Sequence, residues 1–313
     1  MAAHPRPFRF GIQIRDARDG AGWRDLARRI EDHGYSTATM PDHFTDQLAP
    51  MPALQAIADA TTTLRVGALV FDNDYKHPVV LAKELATMDV LSGGRVEIGL
   101  GAGWMTSDYE ASGIPLDRPG VRIDRFVEGL QVIKGAMGDG PFSFEGRHYT
   151  ITDYDGLPKP VQQPRPPILI GGGGKRVLGI AAREADIVGI NGTMTAGAVG
   201  PEALETMTRP AVLDRIGIIR EAAGDRIDRI ELNIRVFMVS ITEEPEPMID
   251  NLAKMLEVDP DLIRESPFSL IGPVSAVTEE ILRLREETGI SYLIVGQDDV
   301  EAFAPVVSAL SGN

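Results

Sequence analysis

Two hydrophobic periods alternate along the chain. Short, nearly continuous apolar runs at Phe8–Ile14 (FRFGIQI), Leu64–Phe71 (LRVGALVF) and Arg95–Leu100 (RVEIGL) read as strands covered on both faces. Between them lie segments of helical period. Trp23, Leu26, Ala27 and Ile30 mark one helix over 23–33, which Gly34 stops. Val79, Leu81, Ala82, Leu85, Met88 and Leu91 mark another over 78–91. The pattern continues with strands over 35–40, 168–170, 186–190, 230–240 and 292–295. Further helices are predicted over 52–60, 118–137, 175–185, 210–223, 274–287 and 300–310. Eight strand-like runs, each followed by a helix, predict an α/β fold of the (β/α)8 TIM-barrel type, formed by residues 1–313 as a single domain. An open doubly wound sheet with a large insertion is the alternative. Insertions are expected after strands 4, 6 and 7. Residues 141–167 hold six prolines and read as a hairpin plus an extended crossing; 192–208 are Gly- and Thr-rich and read as a mobile loop; 242–270 carry a helix near 248–256.

Composition narrows the function. The 313 residues include no cysteine, which excludes a disulfide scaffold, cysteine metal sites and thiol catalysis. The net charge of −15 argues against nucleic acid or an anionic membrane as partner, although a local pocket can oppose the global sign. The polar, proline-interrupted start has no signal-peptide core, and no apolar stretch approaches the roughly 20 residues of a membrane span. A soluble cytoplasmic protein is expected.

In a barrel, chemistry gathers on the loops after the strands. Gly171-Gly172-Gly173-Gly174-Lys175-Arg176 follows strand 5 and opens a helix. Glycines let backbone N–H groups approach an anion, the helix start adds its dipole, and Lys175 and Arg176 offer charge. A phosphate site is the natural reading; a plain flexible turn is the alternative. Pro41-Asp42-His43-Phe44 places a histidine beside a carboxylate at the end of strand 2, suited to proton transfer or to an ordinary structural role. Gly101-Ala102-Gly103-Trp104 ends strand 4, where backbone and indole can wall a flat ligand or simply pack at the rim. Other strand ends supply Gln13 and Arg15, Phe71-Asp72-Asn73, Asn191, and Gly296-Gln297. His77, before a proline, reads as a helix cap. No HxH or HExxH spacing suggests a metal, and no GxSxG suggests a serine nucleophile.

Taken in order, PDHF, then VGALVFDNDYKHPVVLAKELATMDVLSGGRVEIGLGAGW, then ILIGGGG form a set. Together they resemble the bacterial luciferase-like superfamily, and within it the oxidoreductases that use the deazaflavin F420. The HP-x5-E-x2-T-x-D-x2-SGGR stretch is highly specific; after residue 240 only the general pattern matches. The resemblance implies a cofactor ring at the strand C-termini, backed by a bulge near Leu69-Val70 that often contains a non-prolyl cis peptide. It implies a homodimer. Asp42 and His43 match positions at the reactive face of the ring, Phe71 to Asn73 match positions that line the ring and its ribityl chain, with Phe71 and Asn73 as the expected contacts, and Gly171 to Arg176 match the phosphate loop. Gly103 and Trp104 are expected to wall the cofactor, and Gln13, Phe44, Gln47 and Asn191 to meet substrate. The related sugar-phosphate dehydrogenases carry an acidic residue directly after the GxG of strand 4, where this chain has Trp104, and a tryptophan where it has Gln47. A sugar phosphate is therefore not expected as substrate.

The function implied is hydride transfer between C5 of F420 and a small organic substrate, with His43 handling the proton and Asp42 orienting it or binding the ring edge. One alternative is an FMN-dependent two-component monooxygenase with a separate reductase. A second is a non-catalytic flavin or deazaflavin carrier.

Overall fold

The computed structural model describes residues 6–17, 19–193 and 201–313. Eight parallel strands close into a barrel: Arg9–Gln13, Thr37–Met40, Arg65–Ala68 continued by Phe71–Asp72, Val96–Gly101, Ile168–Gly172, Ile187–Ile190, Glu231–Arg235 and Ile290–Gly296. The first strand pairs with the second (Gly11↔Thr37) and with the last (Gly11↔Ile294), and the third pairs with the fourth (Val66↔Val96). Helices cover the strands, and their buried stripes largely follow the predicted period; Leu91, expected on the stripe of the helix Pro78–Leu91, is instead exposed at its C-terminal end. Trp23, Leu26, Ala27 and Ile30 are the buried residues of the helix Gly20–Asp32. Burial of such side chains contributes roughly 1.5–3 kcal/mol each before conformational entropy is set against it. A separate cluster of Leu169, Ile187, Tyr292 and Ile294 packs against Leu69 and Val70.

Strand 3 is not the uninterrupted run that hydrophobic pattern alone expects over 64–71, and it carries the bulge that the resemblance implies near Leu69-Val70. It breaks after Ala68 and resumes at Phe71, and the Leu69–Val70 peptide between is cis. Small residues on strand 4 make room for the bulge: a Cβ on Gly99 would lie 1.8 Å from the Ala68 carbonyl oxygen, and one on Gly101 would lie 2.7 Å from Val70 Cγ2.

The insertions bring other corrections. Within 141–167 the predicted hairpin is present as Phe142–Glu145 against Thr150–Tyr154. The strand expected over 230–240 is two elements. After Arg235 the N–H of Val236 still bonds Ile294, but those of Phe237 and Met238 turn to Phe268, so Met238–Ile241 pairs with Ser269–Gly272 outside the barrel. Hydrophobic pattern alone cannot register that exchange of partners, because both pieces carry apolar residues of strand type and no turn signal separates them. The segment 242–270 holds two helices, Pro245–Leu256 and Pro260–Arg264. Of the loop expected over 192–208, residues 194–200 lie outside the described residues, and Pro201–Glu205 is a helix. Its Ala203 and Leu204, with Met207 just beyond, are buried, which ties this end of the segment to the core. A short helix, Thr106–Ser112, follows strand 4 unannounced by any long period, and Gly113 ends it at φ 74°. No described helix is long and apolar enough to cross a membrane.

Candidate functional site

A cavity of about 1420 Å³ opens at the C-terminal ends of the strands. Its floor is set by the bulge. Gln13 Nε2 donates to the Leu69 carbonyl (3.1 Å), and Gln13 Oε1 accepts from Arg235 Nε (3.0 Å), so strands 1 and 7 brace strand 3 through one amide. Leu69, Val70, Gly103, Trp104, Asn191 and Gln47 line the cavity, as do Asp42, His43 and Gly171–Gly174. The Gln47 amide donates to the Pro41 carbonyl (2.8 Å), and its Oε1 is buried with no partner.

The structure does not bring five of the expected residues to this cavity. Phe71 is buried in the core and Asn73 bonds Tyr149 (3.2 Å) at the helix Pro119–Met137, because alternation along the strand sends only Asp72 between them inward. Phe44 is 51% exposed and stacks on Tyr75 at 4.5 Å. Lys175 and Arg176 are exposed at the outer side of the glycine loop. Arg176 is paired with Asp124 and donates to the Gly120 carbonyl (3.3 Å). His77 caps its helix, accepting from Val79 N–H.

The residue that pattern reading missed is Asp108, in the short helix after strand 4. It is buried, and its Oδ2 lies 2.6 Å from His43 Nδ1. Tyr75 Oη donates to the same oxygen (3.2 Å) and the Phe44 N–H donates to Oδ1 (3.2 Å). With those two hydrogens aimed at the carboxylate, Nδ1–H is the third donor, and Nε2 is left as the free ring nitrogen of a residue on the cavity wall. Trp104 fixes the ring from the side, edge-on at 5.8 Å. The position directly after the GxG is tryptophan, and the helix that begins two residues later brings a carboxylate, Asp108, against His43. The sequence signal for it was only an Asp in the first turn of a short helix.

A second set of carboxylates lies beside the first. Asp72 accepts from Tyr109 Oη (2.9 Å) and from Asp74 N–H (2.9 Å), while its own N–H donates to Asp42 (3.2 Å). Burial, with the charge of Asp74 and then Asp42, pushes the Asp72 carboxyl up to about 7. Burial also pushes Asp42 up. Tyr109 joins Asp72 to Asp74, and Asp74 is clamped by Arg125 through two bonds of 2.8 Å. Gly103, at φ 73°, is required here: a Cβ would fall 1.9 Å from Tyr109 Oη. On the far wall stands Arg235, whose burial lowers it to about 10.

The arrangement has three parts: a bulged floor for a flat group, a glycine-rich loop at a helix start, and a histidine held by a buried carboxylate. The luciferase-like monooxygenase family model matches residues 7–292. The F420-dependent glucose-6-phosphate dehydrogenase of Amycolatopsis mediterranei is 28% identical over 306 residues, covering 91% of this chain and 84% of that protein. The FMNH2-dependent dimethylsulfone monooxygenase of Pseudomonas putida is 26% identical over 246 residues, covering 77% of this chain and 64% of its own length. The solved coenzyme F420-dependent tetrahydromethanopterin reductase of Methanopyrus kandleri superposes with a TM-score of 0.78 at 20% identity, covering 97% of this chain and all of the other. This chain belongs to the luciferase-like monooxygenase family.

Proposed function

We propose that the protein is an oxidoreductase working with a flavin-type cofactor, specifically F420, and that it moves hydride between the cofactor and a small organic substrate. Members of this family are oxidoreductases or monooxygenases, and the relatives named above include users of F420 and of FMN. The observation that carries the reading is the His43–Asp108 pair on the wall of a cavity floored by the Leu69–Val70 bulge.

The residues fit such a group. The bulge offers a flat backing, and Gly174, with no atom within 4 Å of where a Cβ would stand, leaves the loop backbone open to a phosphate at an uncapped helix start. The volume exceeds the roughly 300–1000 Å³ of most small-molecule pockets, so a ring and a substrate both have room. That room speaks against a mere carrier. Arg15, Arg118, Arg122 and Arg235 line the same cavity, which suits a cofactor with an anionic tail beyond its phosphate and favours F420 over FMN. When bound, F420 supplies or takes up the hydride. Proton handling falls to the protein: His43, fixed through Nδ1, gives or takes a proton at a substrate heteroatom through Nε2, with Asp108 balancing the charge of the imidazolium. Asp42 orients the ring edge or the substrate beside it. Walls of Trp104 and Phe237 favour a flat or apolar substrate over a sugar phosphate.

The test is titration of the apoprotein with F420 and with FMN, followed through tryptophan fluorescence. Trp23 is buried in the core, so quenching reports Trp104. Tight F420 binding, and turnover of enones, quinones, imines or secondary alcohols with F420, is the expected result. Tight FMN binding with none of F420 overturns the cofactor assignment and points to the monooxygenase reading.

A further inference from the structure

An anion bound by a chain of net charge −15 must be held by local cations, and the two that adjoin the glycine loop in sequence are not in the cavity. Lys175 is exposed, and Arg176 is spent on Asp124 and Gly120. Those two contacts nevertheless bind the start of the helix Lys175–Glu184 to the start of the helix Pro119–Met137. Arg118, the residue that precedes the first turn of the second helix, and Arg122, one turn into it, both line the cavity there. Neither has a carboxylate within 4 Å among the described residues. The nearby Asp117 gives its carboxylate to Arg125 (2.8 Å), and only its carbonyl to Arg122 Nη1 (2.9 Å). Arg122 is only 9% exposed, its Nε is buried without a partner, and its guanidinium rests 5.8 Å from the Tyr109 ring. Two like charges at i and i+4 repel, and a buried guanidinium with unmet donors costs free energy; an anion between them removes both penalties.

We propose that Arg118 and Arg122, and not Lys175 and Arg176, are the cations that grip the cofactor's phosphate, which sits between them and the N–H groups of Gly171–Gly174. This rests on the flavin-type reading above and deepens it. The ligand chemistry is a phosphate ester, whether the monoester of FMN or the diester of F420. Arg122 is the stronger of the two, because its burial leaves its charge less screened.

The experiment compares two ligand pairs: FMN with riboflavin, which differ only in the phosphate, and F420 with its ribityl-deazaflavin core, which lacks the phosphate and the tail together. Equilibrium binding is read by fluorescence, with no turnover involved. Wild type is expected to prefer the phosphorylated member of at least one pair by about 10- to 100-fold. Arg122→Met should erase most of that preference while leaving the phosphate-free ligand within about threefold. Arg122→Lys should restore part of it, and Arg118→Gln should cost about 3- to 10-fold. Lys175→Gln and Arg176→Gln should change little. The proposal is overturned if Arg122→Met, folded by circular dichroism, weakens both members of a pair equally, or if Lys175→Gln or Arg176→Gln removes the preference. Ring binding without phosphate preference in wild type defeats this inference alone. No binding of any of the four ligands defeats the cofactor reading with it.

Discussion

The two ends of the barrel treat charge in opposite ways. At the N-terminal end, Arg9 lies between Glu97 and Glu231 at 2.6 Å each, Arg65 meets Glu97 at 2.8 Å, and Arg9 covers the Tyr292 ring at 3.6 Å. Burial alone would lower Arg9, yet Glu97, with Tyr292 and Glu231, holds it well above its ordinary value. Each ion of this cluster has a partner of opposite sign. At the C-terminal end, Asp72 is buried with the half-buried Asp42 beside it and forms no ion pair among the described residues, and Arg118 and Arg122 line the cavity without a carboxylate within 4 Å among those residues. Paired charges fix a protonation state and brace the fold. Unpaired ones leave protonation and anion affinity adjustable, which a site needs and a foundation does not.

The comparison breaks first, and hardest, at the paired end. Arg9→Met leaves the half-buried Glu231 without a cation beside the buried Glu97, which keeps only Arg65, and should lower unfolding free energy by about 3 kcal/mol in urea denaturation. At the mouth, Asp108→Asn should lower kcat by on the order of 100-fold with the fold intact by circular dichroism, because His43 loses its charge partner rather than its packing. A similar loss of stability in place of activity would make Asp108 part of the foundation.

Two carboxylates then sharpen the contrast through pH. Asp72 titrates at about 7 in the fold against 3.8 when unfolded. Between those values the folded state binds the extra proton, so stability falls as pH rises from about 4 to 7. Asp72→Asn should therefore be more stable than wild type by about 1–3 kcal/mol at pH 8, with the difference gone below pH 4. The amide keeps both contacts, since Tyr109 still donates to Asp74.

Glu31 should show the reverse and the smaller effect. It sits at the foundation, accepting from the N–H groups of Thr62, Thr63 and Leu64 at 2.6–2.9 Å. Partial burial works against ionisation, but the Thr63 and Leu64 N–H groups, with the Thr63 hydroxyl and Thr62 N–H, bring it to about 2. Its contribution is complete above about pH 4.5 and is lost as pH falls toward 2. Glu31→Gln should cost about 1 kcal/mol at pH 7, solvent screening having reduced the full shift, and nothing near pH 2. Thermal unfolding across pH reads both variants.

Much of the site was legible before any fold was drawn, and the exceptions share causes. His43 and the four glycines stand at strand ends, where chain order alone assigns them to the mouth of a barrel. Phe71 and Asn73 turn away from the cavity because the bulge at Leu69–Val70 sets the alternation of the resumed strand, and Asp72 points inward. Strand 7 ends earlier than its pattern suggests because Met238–Ile241 has a strand-like pattern while pairing elsewhere. Lys175 and Arg176 adjoin the glycine loop in sequence, but adjacency does not set where a side chain reaches, and Arg176 meets Asp124.

By itself the sequence determined the barrel, its strand order, the position of the bulge and the family, since these rest on periods and motifs written along the chain. Only the tertiary structure decided which charges meet. His43 and Asp108 are 65 residues apart, and Arg9 and Glu231 are separated by 222. Coulombic and hydrogen-bonding terms act over a few ångströms through space, and spacing along a chain does not encode a distance that strand closure and helix packing have yet to set.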